Sequence, residues 1–165
     1  IDHFKGHGEK GAAMAVKIMR RLKMDNDTIR QVRTLIIYHD WRVKPDEKQV
    51  RHLINKVGKD LFPLFIRVQD ADTMAQSEWK REEKLRRVIG VAQVGERIIS
   101  ENQCVDLKGL AINGRDLIDA GIPKGPEIGV CLQKALELVL DDPEKNSREF
   151  LLGFCTGSSE ERSNR

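Results

Sequence analysis

Apolar side chains recur at three- and four-residue intervals along most of the chain, the spacing that places them on one face of an α-helix. Ser, Asp, Asn, Gly and Pro residues interrupt these stripes, and we expect helices to begin and end there. The stripes predict helices at about 7–23, 26–41, 47–57, 61–78, 77–101, 115–120, 126–140 and 147–154. Because no stretch shows the alternation of a β-strand, the sequence predicts an all-α protein.

The stripes also predict which residues form the core. In the first helix the predicted core residues are His7, Gly11, Ala15, Ile18 and Leu22, with Ala12 and Met19 beside them. In the fourth helix they are Leu61, Leu64, Phe65, Val68, Asp72 and Ala75. Asn26 or Asp27 is expected to cap the second helix, and Gly95 within the fifth predicts a close neighbour.

Three polar residues fall on stripes that are otherwise apolar. They are His7, His39 and Asp72, on three different helices. A single residue of this kind is usually a hydrogen-bonded core residue. Three together, however, combine two imidazoles with a carboxylate, which suits a divalent metal ion.

A second candidate site lies at the turn between the two helices that follow residue 113. Asn113 can cap the first helix and Gly121 can end it in the left-handed conformation, while Pro126 suits the first position of the next helix. The free N–H groups of that next helix would lie beside Lys124 and Arg115, an arrangement that stabilises a phosphate. From the residues alone, an ordinary helix–helix turn is the favoured interpretation.

The same turn carries a resemblance that extends over a long, gapless stretch. It runs through Asn113-Gly114-Arg115-Asp116-Leu117, Gly121-Ile122, Gly125-Pro126-Glu127-Ile128-Gly129, Leu136-Glu137, Leu140, Asp142-Pro143, Asn146 and Arg148-Glu149. This stretch resembles the C-terminal region of bacterial tRNA nucleotidyltransferases, the CCA-adding enzymes, and of their poly(A) polymerase relatives. The resemblance implies a parent enzyme that adds CCA, or part of it, to tRNA 3′ ends from CTP and ATP. Its catalytic head, with bound Mg²⁺, would be missing from this chain.

This chain would then contact the tRNA backbone. The expected contacts are Arg115, Lys124, Gly125 and the backbone of Glu127 and Ile128.

The N-terminal part resembles the later portion of an HD-superfamily domain. The pattern is His3-Phe4-x-Gly6-His7-x-x-x-Gly11-Ala12, then His39, then Ala71-Asp72-x-x-Ala75-Gln76. The family binds a divalent metal (Mg²⁺, Mn²⁺ or Ni²⁺), so the resemblance implies His7, His39 and Asp72 as ligands. The adjacent His-Asp pair of the family would precede Ile1, and Asp40, next to His39, is expected to be a surface carboxylate. The alternative function is a metal-dependent phosphohydrolase or phosphodiesterase.

Charge and cysteine content indicate the class of binding partner and the cellular compartment. The chain carries a net charge of +3. Residues 1–60 hold 14 basic and 8 acidic side chains, a net charge of +6, so residues 61–165 carry −3. A basic N-terminal half can attract a polyanion. The three cysteines show no C-x-x-C spacing and predict reduced thiols in a cytoplasmic protein, and no apolar run approaches membrane-spanning length.

Three parts are predicted: an N-terminally truncated HD-like domain (1–101), a C-terminal helical tRNA-binding subdomain (102–154) and a disordered tail (155–165). The sequence begins abruptly, which predicts a piece of a longer protein. A structural body that supports the catalytic head and forms a homodimer is the third interpretation left open.

Overall fold

The computed structural model describes residues 6–76 and 78–157, and every regular element in those ranges is helical. The all-α prediction is therefore confirmed. The α-helices are α1 (His7–Arg21), α2 (Asn26–Tyr38), α3 (Glu47–Val57), α4 (Phe62–Ala75), α5 (Arg81–Ser100), α6 (Gly114–Asp119), α7 (Pro126–Asp141) and α8 (Arg148–Thr156). Short 3-10 turns lie at Leu107–Gly109 and Pro143–Lys145. No described helix is long and apolar enough to span a bilayer.

The backbone forms two compact units, one up to residue 96 and one from residue 97, so the division falls within α5. The predicted boundary lay between residues 101 and 102. The predicted tail starts inside α8, since Cys155 and Thr156 are helical, and its residues 158–165 lie outside the described part.

Helix α3 forms as predicted. The Asp46 side chain accepts a hydrogen bond from the Gln49 N–H at 3.1 Å, and Gly58 ends the helix with φ of 95°. Its apolar face is buried at Val50, Leu53, Ile54 and Val57. For α2 the predicted cap is wrong, because Asp25 rather than Asn26 or Asp27 accepts the Thr28 N–H, at 2.8 Å.

The predicted core face of α1 is wrong at Ile18 and Leu22. The buried residues of this helix are Ala12 and Met19, while Ile18 is 46% exposed and Leu22 is 64% exposed. Small residues set this orientation. A Cβ atom on Gly8 would lie 3.1 Å from the backbone oxygens of Ile36 and Ile37, so the two helices approach closely at that point.

The predicted core face of α4 is displaced by one position. Phe62, Phe65, Gln69 and Thr73 are buried, whereas Leu64 is 41% exposed. The Gln69 amide donates hydrogen bonds to the backbone oxygens of Trp41, at 2.9 Å, and of His39, at 3.3 Å. Because carbonyl groups at a chain turn need donors when they are buried, a polar residue occupies the core side of α4.

Helix α5 confirms the close neighbour predicted at Gly95. A Cβ atom there would lie 2.2 Å from two ring atoms of Phe62, which is 2% exposed. On its exposed surface Glu82 pairs with Arg86. Arg87 lines a small cavity beside Arg42.

In the second unit, the prediction of reduced thiols is wrong for two of the three cysteines. Cys131 of α7 and Cys155 of α8 form a disulfide, with Cα atoms 5.9 Å apart. Cys104 is a buried thiol outside the disulfide. In α8, Phe150 is 43% exposed, whereas Leu151 beside it is fully buried. The disulfide joins two positions 24 residues apart, a proximity that sequence spacing did not suggest.

Candidate functional site

The first turn of α6 is fixed by a capping box. The Asn113 side chain accepts hydrogen bonds from the N–H groups of Arg115 (2.8 Å) and Asp116 (3.4 Å). In return the Asp116 carboxylate accepts the Asn113 N–H at 2.8 Å. Three N–H donors that the helix itself cannot satisfy are thereby paired, and the predicted cap is confirmed.

Local backbone geometry also defines the end of α6 and the start of α7. Gly121 has φ of 93°, with its N–H donating to Ile118 and the N–H of Ile122 donating to Leu117. These two bonds form a Schellman motif, which needs a left-handed residue at its centre. Helix α7 then begins at Pro126, as predicted, and no side chain caps it.

Helix α8 and the segment before it hold this turn in place. Arg148 pairs with Asp116, and this pairing, with the Asn113 N–H second, holds the pKa of Asp116 below its usual value. The Asn146 amide accepts the N–H of Ala111 at 2.9 Å and donates to the oxygen of Gly109 at 3.0 Å. The first turn of α6 and the segment before it are thus anchored to α8 and to the residue two positions before it.

The predicted phosphate contacts lie along this turn with different exposures. Arg115, Lys124, Gly125 and Glu127 are exposed, and Ile128 is half-buried. Ile128 packs near Gly114, where a Cβ atom would lie 3.3 Å from its side chain, and its N–H donates to the oxygen of Gly125 at 3.3 Å. The Arg115 guanidinium, the Lys124 ammonium and the uncapped N-terminus of α7 are therefore each exposed to solvent, whereas the Ile128 side chain serves packing.

In the first unit the structure brings two of the three predicted metal ligands together. The Nε2 atoms of His7 and His39 lie 3.2 Å apart, with the rings at 79°. The Nδ1 atom of His39 lies 2.7 Å from the oxygen of Ile36. Because a carbonyl only accepts, Nδ1 carries the proton, and neutral His39 holds its lone pair on Nε2. Both rings line an open cavity of about 520 Å³ together with Trp41.

Asp72 does not complete this pair. It lines a separate small cavity with His39, and its carboxylate accepts a hydrogen bond from the Gln76 amide at 2.7 Å. Within residues 6–76 and 78–157, no group of three or more His, Cys, Asp or Glu side chains is placed to hold a metal ion.

Both acidic and basic side chains lie near His39. Asp40 is exposed, as predicted, and pairs with Arg42 at 2.9 Å. Burial lowers the pKa of Arg87, and repulsion from Arg42 lowers it further, while Glu83 and Asp40 oppose the shift. The small cavity is thus lined by two guanidinium groups, of which Arg42 is paired with Asp40, and by the Asp72 carboxylate.

The sequence profile of the family described as tRNA nucleotidyltransferase domain 2 matches residues 10–155. The chain belongs to this family. No curated protein and no solved structure matches the chain. The match spans α2 to α7 entirely, with most of α1 and α8, and includes the α6–α7 turn; His7 lies just before it.

Within this tRNA nucleotidyltransferase domain, sequence reasoning missed the residues that hold the turn. Asp116, Asn146 and Arg148 belong to the stretch that carries the resemblance, but they were not assigned a role. The Asn113-x-x-Asp116 spacing was the available signal, since an acidic residue three positions after an N-cap can return a hydrogen bond. No local signal pointed to Arg148, because its partner lies 32 residues away.

Proposed function

We propose that this domain binds tRNA through the α6–α7 turn and so positions the 3′ end for nucleotide addition. The observation that carries the proposal is the exposed turn after the capped helix α6, with Lys124 beside the uncapped N-terminus of α7 and Arg115 exposed in the first turn of α6. Membership of the tRNA nucleotidyltransferase family supplies the substrate class. Phosphate oxygens fit such a site because the cations and the helix dipole both favour negative charge.

The expected mode of recognition is shape and phosphate position. The chain has one Tyr, two Trp and five Phe, too few for a platform on which several bases would stack. Phosphate contacts fix register and orientation without reading sequence. This mode suits an enzyme that must accept many different tRNAs.

The rest of the proposal concerns the parent enzyme. It would add CCA, C, A or a poly(A) tail in the cytoplasm, using CTP or ATP and Mg²⁺ in a separate catalytic head. The domain described here would hold the substrate and would not perform the transfer.

The test is a binding titration of the chain with an intact tRNA and with an unstructured RNA of equal length, at several salt concentrations. The expected result is preferential binding of tRNA, with a log–log salt slope of about −0.7 to −0.9 for each phosphate contact. Arg115→Ala and Lys124→Ala should each weaken binding and reduce the slope by about one contact. Lys134→Ala is the matched control, since Lys134 is an exposed α7 residue away from the turn.

Equal binding of the two RNAs, or equal effects of Lys124→Ala and Lys134→Ala, would contradict the proposed site.

The histidine pair supports a second candidate function, that of a metal-dependent phosphohydrolase. Two imidazole nitrogens bound to one ion at about 2.0–2.1 Å each lie roughly 3 Å apart when they are adjacent ligands. The observed Nε2 separation of 3.2 Å fits that spacing. The Ile36 carbonyl orients His39 in the way that metal-bound histidines are commonly held. Asp72 is not part of this pair, because it lines a different cavity from the one that both histidines line.

Calorimetric titration with Mn²⁺ or Ni²⁺, alongside hydrolysis of bis(p-nitrophenyl) phosphate, separates the two candidates. Stoichiometric metal binding that His39→Ala abolishes and His52→Ala retains, together with hydrolysis, would favour the phosphohydrolase. Metal binding without hydrolysis would support the metal site but exclude the phosphohydrolase function.

A further inference from the structure

Two adjoining cavities open on the first unit between α2, α3 and the start of α4. Their volumes are about 510 and 450 Å³, and both are lined by Thr34 and Lys56. We call them together the α2–α3 groove. All its lining residues lie between positions 9 and 64, so it belongs to the first unit alone.

Basic side chains outnumber acidic ones in this groove. The basic residues are Arg30, Arg33, Lys56 and Lys59, and the acidic residues are Glu9 and Asp60. Arg30 pairs with Asp27, but both side chains are strongly exposed, so this ion pair contributes little to stability. The other three cations form no ion pair with any described residue. Their charge is therefore not neutralised locally.

The N-terminus of α4 adds to this field. Its cap residue, Leu61, lines the groove, and no side chain caps the helix. A 14-residue helix carries a partial positive charge at that end. The groove thus combines uncompensated ammonium and guanidinium groups with a helix end, on the half of the chain that has a net charge of +6.

We propose that the α2–α3 groove is a second contact for the RNA backbone, where phosphodiester groups lie against Arg33, Lys56 and Lys59. The proposal rests on the proposed tRNA-binding function and extends it to the first unit. An extended polyanion matches a groove whose cations are spread over two adjoining cavities, whereas an acidic peptide would need apolar anchors beside its carboxylates. A tRNA could then be held by phosphate contacts on both units.

The test compares two double variants with the same charge change in a tRNA salt titration. Arg33→Ala/Lys56→Ala removes two groove cations, and Lys17→Ala/Arg20→Ala removes two exposed α1 cations that do not line the groove. Two lost phosphate contacts should weaken binding about tenfold or more near physiological salt and reduce the slope by roughly 1.4–1.8. The control should change both much less. Replacing Arg33 with lysine instead of alanine in the groove variant keeps the charge at this position and should recover part of the affinity. Tryptophan fluorescence checks that each variant is folded.

The outcomes separate this proposal from the one before it. If the groove variant binds like its control while Lys124→Ala binds weakly, the groove is excluded and the turn stands. If the groove variant alone loses affinity, the groove stands and the turn is excluded. A wild-type chain that binds no RNA at low salt overturns both.

Discussion

Replacing Gly95 with alanine should destabilise the first unit, although the same change stabilises most helices. Gly95 lies inside α5, where alanine has the higher intrinsic helix propensity by about 1 kcal/mol. The added methyl group, however, would lie 2.2 Å from the Cε1 and Cζ atoms of Phe62. Ordinary carbon–carbon contacts lie at about 3.5–4.0 Å, so the ring or the helix must move by more than an ångström.

The magnitude follows from how little Phe62 can move. Its ring is 2% exposed and is packed on all sides, so the clash behaves as overpacking of a core, which costs about 1–3 kcal/mol. A displacement of this size belongs at the upper end of that range. Subtracting the propensity gain of about 1 kcal/mol leaves an expected loss of roughly 1–2 kcal/mol in the free energy of unfolding.

Urea unfolding followed by tryptophan fluorescence provides the assay, because Trp41 and Trp79 both lie in the first unit. Gly11→Ala in α1 is the matched control: its Cβ would meet only one side-chain atom, at 3.5 Å. It should stabilise the unit by about 0.5–1 kcal/mol. In a Phe62→Leu background the cost of Gly95→Ala should fall by at least about 1 kcal/mol. A Gly95→Ala variant as stable as the wild type would refute the reasoning.

Further predictions concern the second unit. Asp116 has a depressed pKa in the folded state, so its contribution to stability is present above its unfolded pKa of about 3.8 and is lost as the pH falls through the folded value. Asp116→Asn should therefore lower the melting temperature at pH 7 and flatten its dependence on pH below about 4, whereas an unchanged acid profile would exclude the Arg148 pairing. Thiol titration in denaturant without reductant should detect one thiol, that of Cys104, and three after reduction. Detection of three thiols in the unreduced protein would exclude the disulfide between Cys131 and Cys155.

Elements whose ends are set locally were predictable from the sequence. Helix α3 and the capped turn at Asn113 were predicted because the cap, the stripe and the terminating glycine all lie within a few residues of one another. The core face of α1 was not predictable in the same way. Its contact with α2 uses Gly8 and Gly11, and large apolar residues such as Leu22 are left exposed.

Features that depend on distant partners were missed for a related reason. Gln69 is buried where its amide donates to carbonyl groups 28 and 30 residues earlier in the chain. The spacing of apolar residues within one helix does not show such distant partners. The Cys131–Cys155 and Asp116–Arg148 links likewise require knowledge of how α8 packs. For the metal set, periodicity placed His7 and His39 near each other but could not show that Asp72 is hydrogen-bonded to Gln76.

The most direct test of the central claim is to follow backbone amide NMR signals of the chain as intact tRNA is added. The account predicts that signals from the α6–α7 turn, above all those of Lys124, Gly125 and Glu127, shift or broaden first. Signals from the buried face of α7, such as that of Val139, should change least. If tRNA leaves the signals of the turn unchanged while it perturbs other regions, or perturbs none, the turn is not the tRNA-binding site.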